Sequence, residues 1–186
     1  MQWRNQSDRW GLSSVLMHWL VAVSVLGLFG LGWWMTGLGY YDPWYKQGPF
    51  IHKSIGLLVA VVVVLRVAWR FLDTAPLPLA SHARWEQLGA KLAHSLLYLL
   101  LLVIFISGYL ISTADGRPIS VFDWFHIPAT VQNIEEQEDR AGLIHWYATC
   151  SLMALVAIHM LGALKHHLLD GDATLKRMLG IANSNR

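Results

Sequence analysis

The chain is poor in charge. Of its 186 residues only 14% are Asp, Glu, Lys or Arg, while 55% are hydrophobic. A soluble domain carries about 25% charge, so an ordinary water-facing surface is excluded and the chain reads as a membrane protein. Cysteine is almost lacking: Cys150 stands alone. That excludes an internal disulfide, and without a C-x-x-C-H stretch a c-type haem has no covalent anchor. The net charge is only +2 and the basic residues are spread over several connections, which speaks against nucleic acid as a partner. There is no internal repeat and no low-complexity segment. The polar start MQWRNQSDRWG leads into an apolar run with no small-residue cleavage site after it, so that run reads as a permanent span and not a removed signal.

What the chain has instead is apolar length. Crossing a bilayer takes about 20 helical residues, and four runs reach it, at 15–38, 50–71, 92–113 and 141–165. They are too long and uniform for strands, and lipid admits only helices or closed barrels. The expected fold is all-α, a single domain over 1–186 in which four transmembrane helices form a bundle. Lysine and arginine near the span ends set the orientation. Arg4, Arg9, Arg66, Arg70, Arg84, Lys91, Lys165, Lys176, Arg177 and Arg186 lie on one side, against Lys46, Lys53, Arg117 and Arg140 on the other. Both termini are therefore expected in the cytoplasm, in a multi-pass protein of the bacterial inner membrane whose opposite face is periplasmic in a Gram-negative cell. The first connection holds Tyr40, Tyr41, Trp44 and Tyr45, rings that settle at the outer interface. The second, with Pro76 and Pro78, reads as a cytoplasmic linker. The third, 114–139, carries Glu135, Glu136, Glu138 and Asp139 and reads as an external cap with room for a short helix.

Nine histidines carry the chemistry. His82 and His126 fall in connections and read as ordinary surface residues. His145 and His159, fourteen residues apart on the last span, lie about 21 Å apart along a helix and within about 40° of one face. A histidine within a span is costly and normally faces the bundle with a partner. Alternating span directions put His18 and His159 in the inner leaflet, His52 and His145 in the outer. Depth therefore pairs His52 with His145 and His18 with His159, each pair drawn from two helices, as a bundle holds a cofactor between facing helices. Two imidazoles on opposite faces of a porphyrin leave its iron six-coordinate and suited to electron transfer. Zinc or copper between two histidines is the weaker reading, because zinc takes three or four protein ligands and no carboxylate or thiol lies at matching depth. His94 is also about one turn in from the cytoplasm and competes with His18 as the partner of His159. Arg66 shares a face with His52 at the depth of the inner pair and either pairs with a haem propionate or snorkels. Arg70, one turn on, reads as snorkelling. His166 and His167, near the cytoplasmic end, suit a quinone that takes up protons with electrons, or else a solvated helix end. Gly27, Gly30, Gly32, Gly56, Gly108 and Gly162 lie inside spans, where they permit close approach of a flat ring or of a neighbouring helix.

Five pieces in order then resemble the bacterial cytochrome b561 family: LMHWL around His18, FIHKSIG around His52, AHSLLYLLL around His94, LIHWYAT around His145, and AIHMLGALKHHLLDGDATLKRML at the end. Together they touch all four spans. The resemblance implies a small four-helix cytochrome with two non-covalent b haems, its four axial ligands falling on His18, His52, His145 and His159. It also implies ubiquinone as a partner at the inner membrane. One branch of the family oxidises superoxide at the outer face. Here the stretch EEQED would repel that anion unless Lys53, Arg117 or Arg140 focuses it. The leading expectation is a respiratory-chain electron carrier between a periplasmic donor, whether superoxide or a redox protein, and the quinone pool. The alternatives are a superoxide:ubiquinone oxidoreductase, a haem-bearing anchor for a larger oxidoreductase and, last, a metal transporter. Membrane lipid is a partner in every case, and a homodimer is left open.

Overall fold

A computed structural model describes residues 2–79, 81–131 and 134–181. Arg186, counted above for orientation, lies outside the described residues. Four helices are long and apolar enough to cross a membrane: α1 (Leu12–Met35), α2 (Gln47–Leu72), α3 (Arg84–Ser112) and α4 (Gln137–Leu168). A short α5 (Thr174–Met178) follows. α2 contains the run VAVVVVL, whose β-branched residues would favour a strand in water. In lipid, only a helix satisfies every backbone group within the segment, so local propensity is overridden. Pro49 stands in the first turn of α2, where its missing N–H costs nothing.

Each helix outruns its apolar core at one end or both, except that α1 stops at Met35. α3 begins at Arg84, eight residues ahead of its apolar run, and the Glu86 carboxylate accepts the Ala83 amide at 2.9 Å, closing its start as half of a capping box. α4 begins at Gln137, so Glu138 and Asp139 of the acidic stretch form its first turn, where carboxylates oppose the positive end of the helix dipole. Large apolar side chains along the helices face outward, with Val23 65%, Val64 67% and Leu161 66% exposed. Such a surface is stable only against acyl chains.

The chain divides into two compact units. One comprises Met1–Leu20, Val63–Leu99 and Leu152–Arg186. It contains the ends of helices together with the N-terminal segment, the 73–83 connection and α5. The Asn5 amide donates to Asp73 and the Trp19 indole N–H to the Met178 carbonyl, at 2.9 and 2.8 Å, tying these pieces to one another. Val15, Val63 and Leu152 are its buried apolar residues.

The other unit comprises Val21–Val62 and Leu100–Ser151. Among the described residues its third connection carries a hairpin where a short helix had room. Two strands, β1 (Ile119–Val121) and β2 (Phe125–Ile127), pair antiparallel with Ser120 opposite His126. Phe122 and Asp123, at φ 48° and 58°, make the left-handed turn between them. Ser54 of α2, fully buried, holds that turn by accepting the Phe122 amide at 3.1 Å. Ser120 clasps it from the other side through the Asp123 carboxylate at 2.7 Å. The hairpin is thus fixed to the helical turn that also carries His52.

Candidate functional site

In the second unit His52, in the second turn of α2, meets His145 of α4 with ring centroids 6.4 Å apart and planes at 69°. Two metal–imidazole bonds of about 2.0 Å, with roughly 1.1 Å from each nitrogen to its ring centre, put axial imidazoles about 6.2 Å apart across a porphyrin. The observed spacing fits that arrangement and exceeds that of stacked or hydrogen-bonded rings. Both rings are oriented by their surroundings. The Nδ1–H of His145 donates to the Ile104 carbonyl at 3.1 Å, with the Ser107 hydroxyl also at 3.1 Å. Because Ser107 donates its own proton to the Val103 carbonyl at 2.7 Å, it can accept from the imidazole. This fixes the tautomer and leaves Nε2 as the lone-pair atom, the arrangement that orients a histidine toward iron. The Nδ1 of His52 is buried without a well-formed hydrogen bond and faces the Leu28 carbonyl.

Two glycines give these rings their room. A Cβ at Gly32 of α1 would lie 3.2 Å from His52 Cε1, and a Cβ at Gly108 of α3 would lie 3.2 Å from His145 Cε1. In each case the glycine backs the Cε1–Nδ1 edge, so the Nε2 side faces away from it. By contrast a Cβ at Gly27, Gly30, Gly56 or Gly162 would meet nothing within 4 Å. Of the six span glycines, only two bear on the histidines.

In the first unit His18 of α1 and His159 of α4 repeat the geometry, with centroids 6.3 Å apart and planes at 75°. His94 of α3 also contacts His159, but at 5.2 Å. That is about an ångström less than two imidazoles on either side of an iron would span. The Arg66 Nε donates to the Tyr98 hydroxyl at 2.9 Å, and the Arg70 guanidinium lies 5.7 Å from the centre of the same ring. Arg66 acts electrostatically on His18, His94 and His159 alike. It is therefore at the site and held by Tyr98, a residue that sequence reading passed over. Arg70, read as snorkelling, also bears on His94.

The same unit holds a third cluster. His166 Nδ1 is 2.8 Å from Asp170 Oδ2, and Lys165 Nζ donates to both Asp170 and Glu86 at 2.7 Å. The Lys165 ammonium, chiefly, holds the Asp170 carboxyl below the usual carboxylate range. His82 is not an ordinary surface residue: its side chain is only 17% exposed and its Nε2 lies 2.8 Å from Asp172 Oδ2. Burial pushes the Asp172 carboxyl up, but the amide and hydroxyl of Thr174, His82 and His166 together bring it below the usual value. His126 on β2 is exposed. His167 Nδ1 is buried with no hydrogen-bond partner among the described residues.

Four spanning helices with imidazoles facing one another inside them define a multi-pass membrane protein. Residues 9–180 match the model of the prokaryotic cytochrome b561 family. The chain is 49% identical to cytochrome b561 homolog 2 of Escherichia coli K12 over 185 residues, covering 100% of this chain and 98% of that protein. It is 23% identical to cytochrome b561 homolog 1 of the same organism over 176 residues, 92% and 97% of the two chains. It is also 27% identical to the probable superoxide oxidase CybB of Yersinia pestis over 169 residues, 88% and 91% of the two. The chain belongs to the prokaryotic cytochrome b561 family. It is a haem-binding electron-transfer protein of the bacterial inner membrane.

Proposed function

We propose that this chain moves electrons between a periplasmic donor and ubiquinone through two b haems, one held by His52 and His145, the other by His18 and His159. The observation that carries the reading is the pair of ring separations, 6.4 and 6.3 Å, each drawn from different helices. A haem with both axial positions filled supplies one-electron chemistry and offers no open site to a substrate. The protein's part is position and potential. Ile104 and Ser107 fix the His145 tautomer. Arg66, steadied by Tyr98, brings positive charge to the His18/His159 site, where it favours the reduced state and suits a propionate. His94, too close to His159 for ligation, lines that site.

Both termini are assigned to the cytoplasm on the lysine and arginine distribution, which puts the His18/His159 site on the cytoplasmic side. His167, with a buried ring nitrogen unpartnered among the described residues, is the better candidate to meet the quinone. The Nδ1 of His166 is committed to Asp170. Direct superoxide oxidation is the lesser reading: it rests on the name of a relative at 27% identity. Two of the three cations that could focus the anion are paired, Arg117 with Asp115 and Arg140 with Glu136. Pyridine haemochrome analysis of the purified protein should give about two haems b per chain, and the reduced protein should be reoxidised by a water-soluble ubiquinone analogue. One haem per chain, or indifference to quinone, would refute the proposal.

A further inference from the structure

The cluster beyond the haem sites brings together donors that an electron carrier does not require. His82 comes from the connection between α2 and α3, His166 from the end of α4, and Asp172 from the loop before α5. Their ligand atoms lie within 4.8 Å of one another. His82 Nε2 is 2.8 Å and His166 Nδ1 3.4 Å from the same atom, Asp172 Oδ2. The two imidazoles stack with centroids 4.3 Å apart, so protonating both would place like charges face to face. Glu86, Asp170 and Asp172 bring three negative charges, and Lys165 is the ammonium that pairs with two of them. With neutral imidazoles, the cluster keeps a net charge of about −2. The Asp172 side chain is only 8% exposed, so its charge is poorly screened by water.

We propose that His82, His166 and Asp172 form a binding site for a divalent cation of the zinc class, independent of the haems. Two imidazoles and one carboxylate are a donor set for zinc, with water in the fourth position. A tetrahedral ion with bonds of about 2.0–2.1 Å sets its ligand atoms roughly 3.3–3.4 Å apart. The His166–Asp172 distance already meets this, the His82–Asp172 distance has to open by about half an ångström, and His166 Nδ1 has to give up its 2.8 Å contact with Asp170 to the ion. The Thr174 hydroxyl, 3.2 Å from His82 Nε2, adds an oxygen beside the site. The overlapping set Glu86, His166 and Asp170 is a poorer choice, because Lys165 already occupies both of its carboxylates. A bound ion would add a further link among these three segments.

The test is equilibrium dialysis of the haem-loaded protein against buffered free zinc, with bound metal counted by mass spectrometry. One zinc per chain is expected. His82→Ala and Asp172→Asn should each bind at least tenfold more weakly with an unchanged haem spectrum, and His167→Ala should bind as the unaltered protein does. Zinc-edge X-ray absorption of the unaltered protein gives a measurement that needs no variant: it should show two imidazoles and light oxygen ligands. Absence of a stoichiometric site, undiminished binding in both variants, or a zinc shell lacking imidazole would overturn the proposal.

Discussion

Replacing Gly108 with alanine should weaken haem retention at the His52/His145 site and spare the His18/His159 site. The added Cβ would lie 3.2 Å from His145 Cε1 and 3.5 Å from its Nδ1. Ordinary carbon contacts are about 3.5–4.0 Å, so the ring has to retreat by a few tenths of an ångström. It is not free to do so, because its Nδ1 is bonded to the Ile104 carbonyl and Ser107 at 3.1 Å each. Retreat stretches those bonds toward the range where such contacts fail. One hydrogen bond contributes about 0.5–1.5 kcal/mol, which corresponds to roughly two- to tenfold in affinity. Gly32→Ala applies the same 3.2 Å contact to His52, but that ring has no well-formed Nδ1 bond and can turn. The loss should therefore be smaller in Gly32→Ala than in Gly108→Ala. Competition with a haem-scavenging apoprotein, followed by redox titration of the visible spectrum, measures both. Equal losses in the two variants, or loss of the other haem component, would refute the reasoning.

Three further outcomes follow from the same geometry. His94→Leu should keep two haems per chain by pyridine haemochrome, since His94 is too near His159 to share an iron with it; loss of one haem would make it a ligand. Arg66→Ala should lower the midpoint potential of the His18/His159 component, because removing a positive charge disfavours the reduced state. Tyr98→Phe, which frees the guanidinium, should lower it less; an unchanged potential in Arg66→Ala would remove Arg66 from the site. Ser107→Ala should retain both haems and raise the potential of the His52/His145 component by roughly 20–40 mV, the one-electron equivalent of part of a hydrogen bond. A fall in potential would show that Ser107 does not increase the donor strength of His145.

That His52 lies near His145 and His18 near His159 was legible in the sequence, because helix rise and alternating direction fix depth. Spacing barely separated His18 from His94, and it was the family resemblance that favoured His18; their rings lie 6.3 and 5.2 Å from that of His159. The start of α3 was not legible for a related reason. Hydropathy marks the apolar run, whereas the helix begins earlier, over the polar stretch RWEQLGAK, its first turn closed by the Glu86 carboxylate. The β1–β2 hairpin gave little signal: strands of three residues show no alternation, and its turn uses Phe122 and Asp123 instead of glycine. His82 was read as surface because its partner Asp172 lies 90 positions away and a proline-containing connection has no period to indicate which way it faces.

The central claim is that two separate histidine pairs each hold one haem. Spectroscopic redox titration of His52→Ala and His159→Ala addresses it most directly. Each variant should lack one haem component and retain the other with its potential little changed, and the component lost should differ between the two. Loss of both components, of neither, or of the same one in both variants would contradict it.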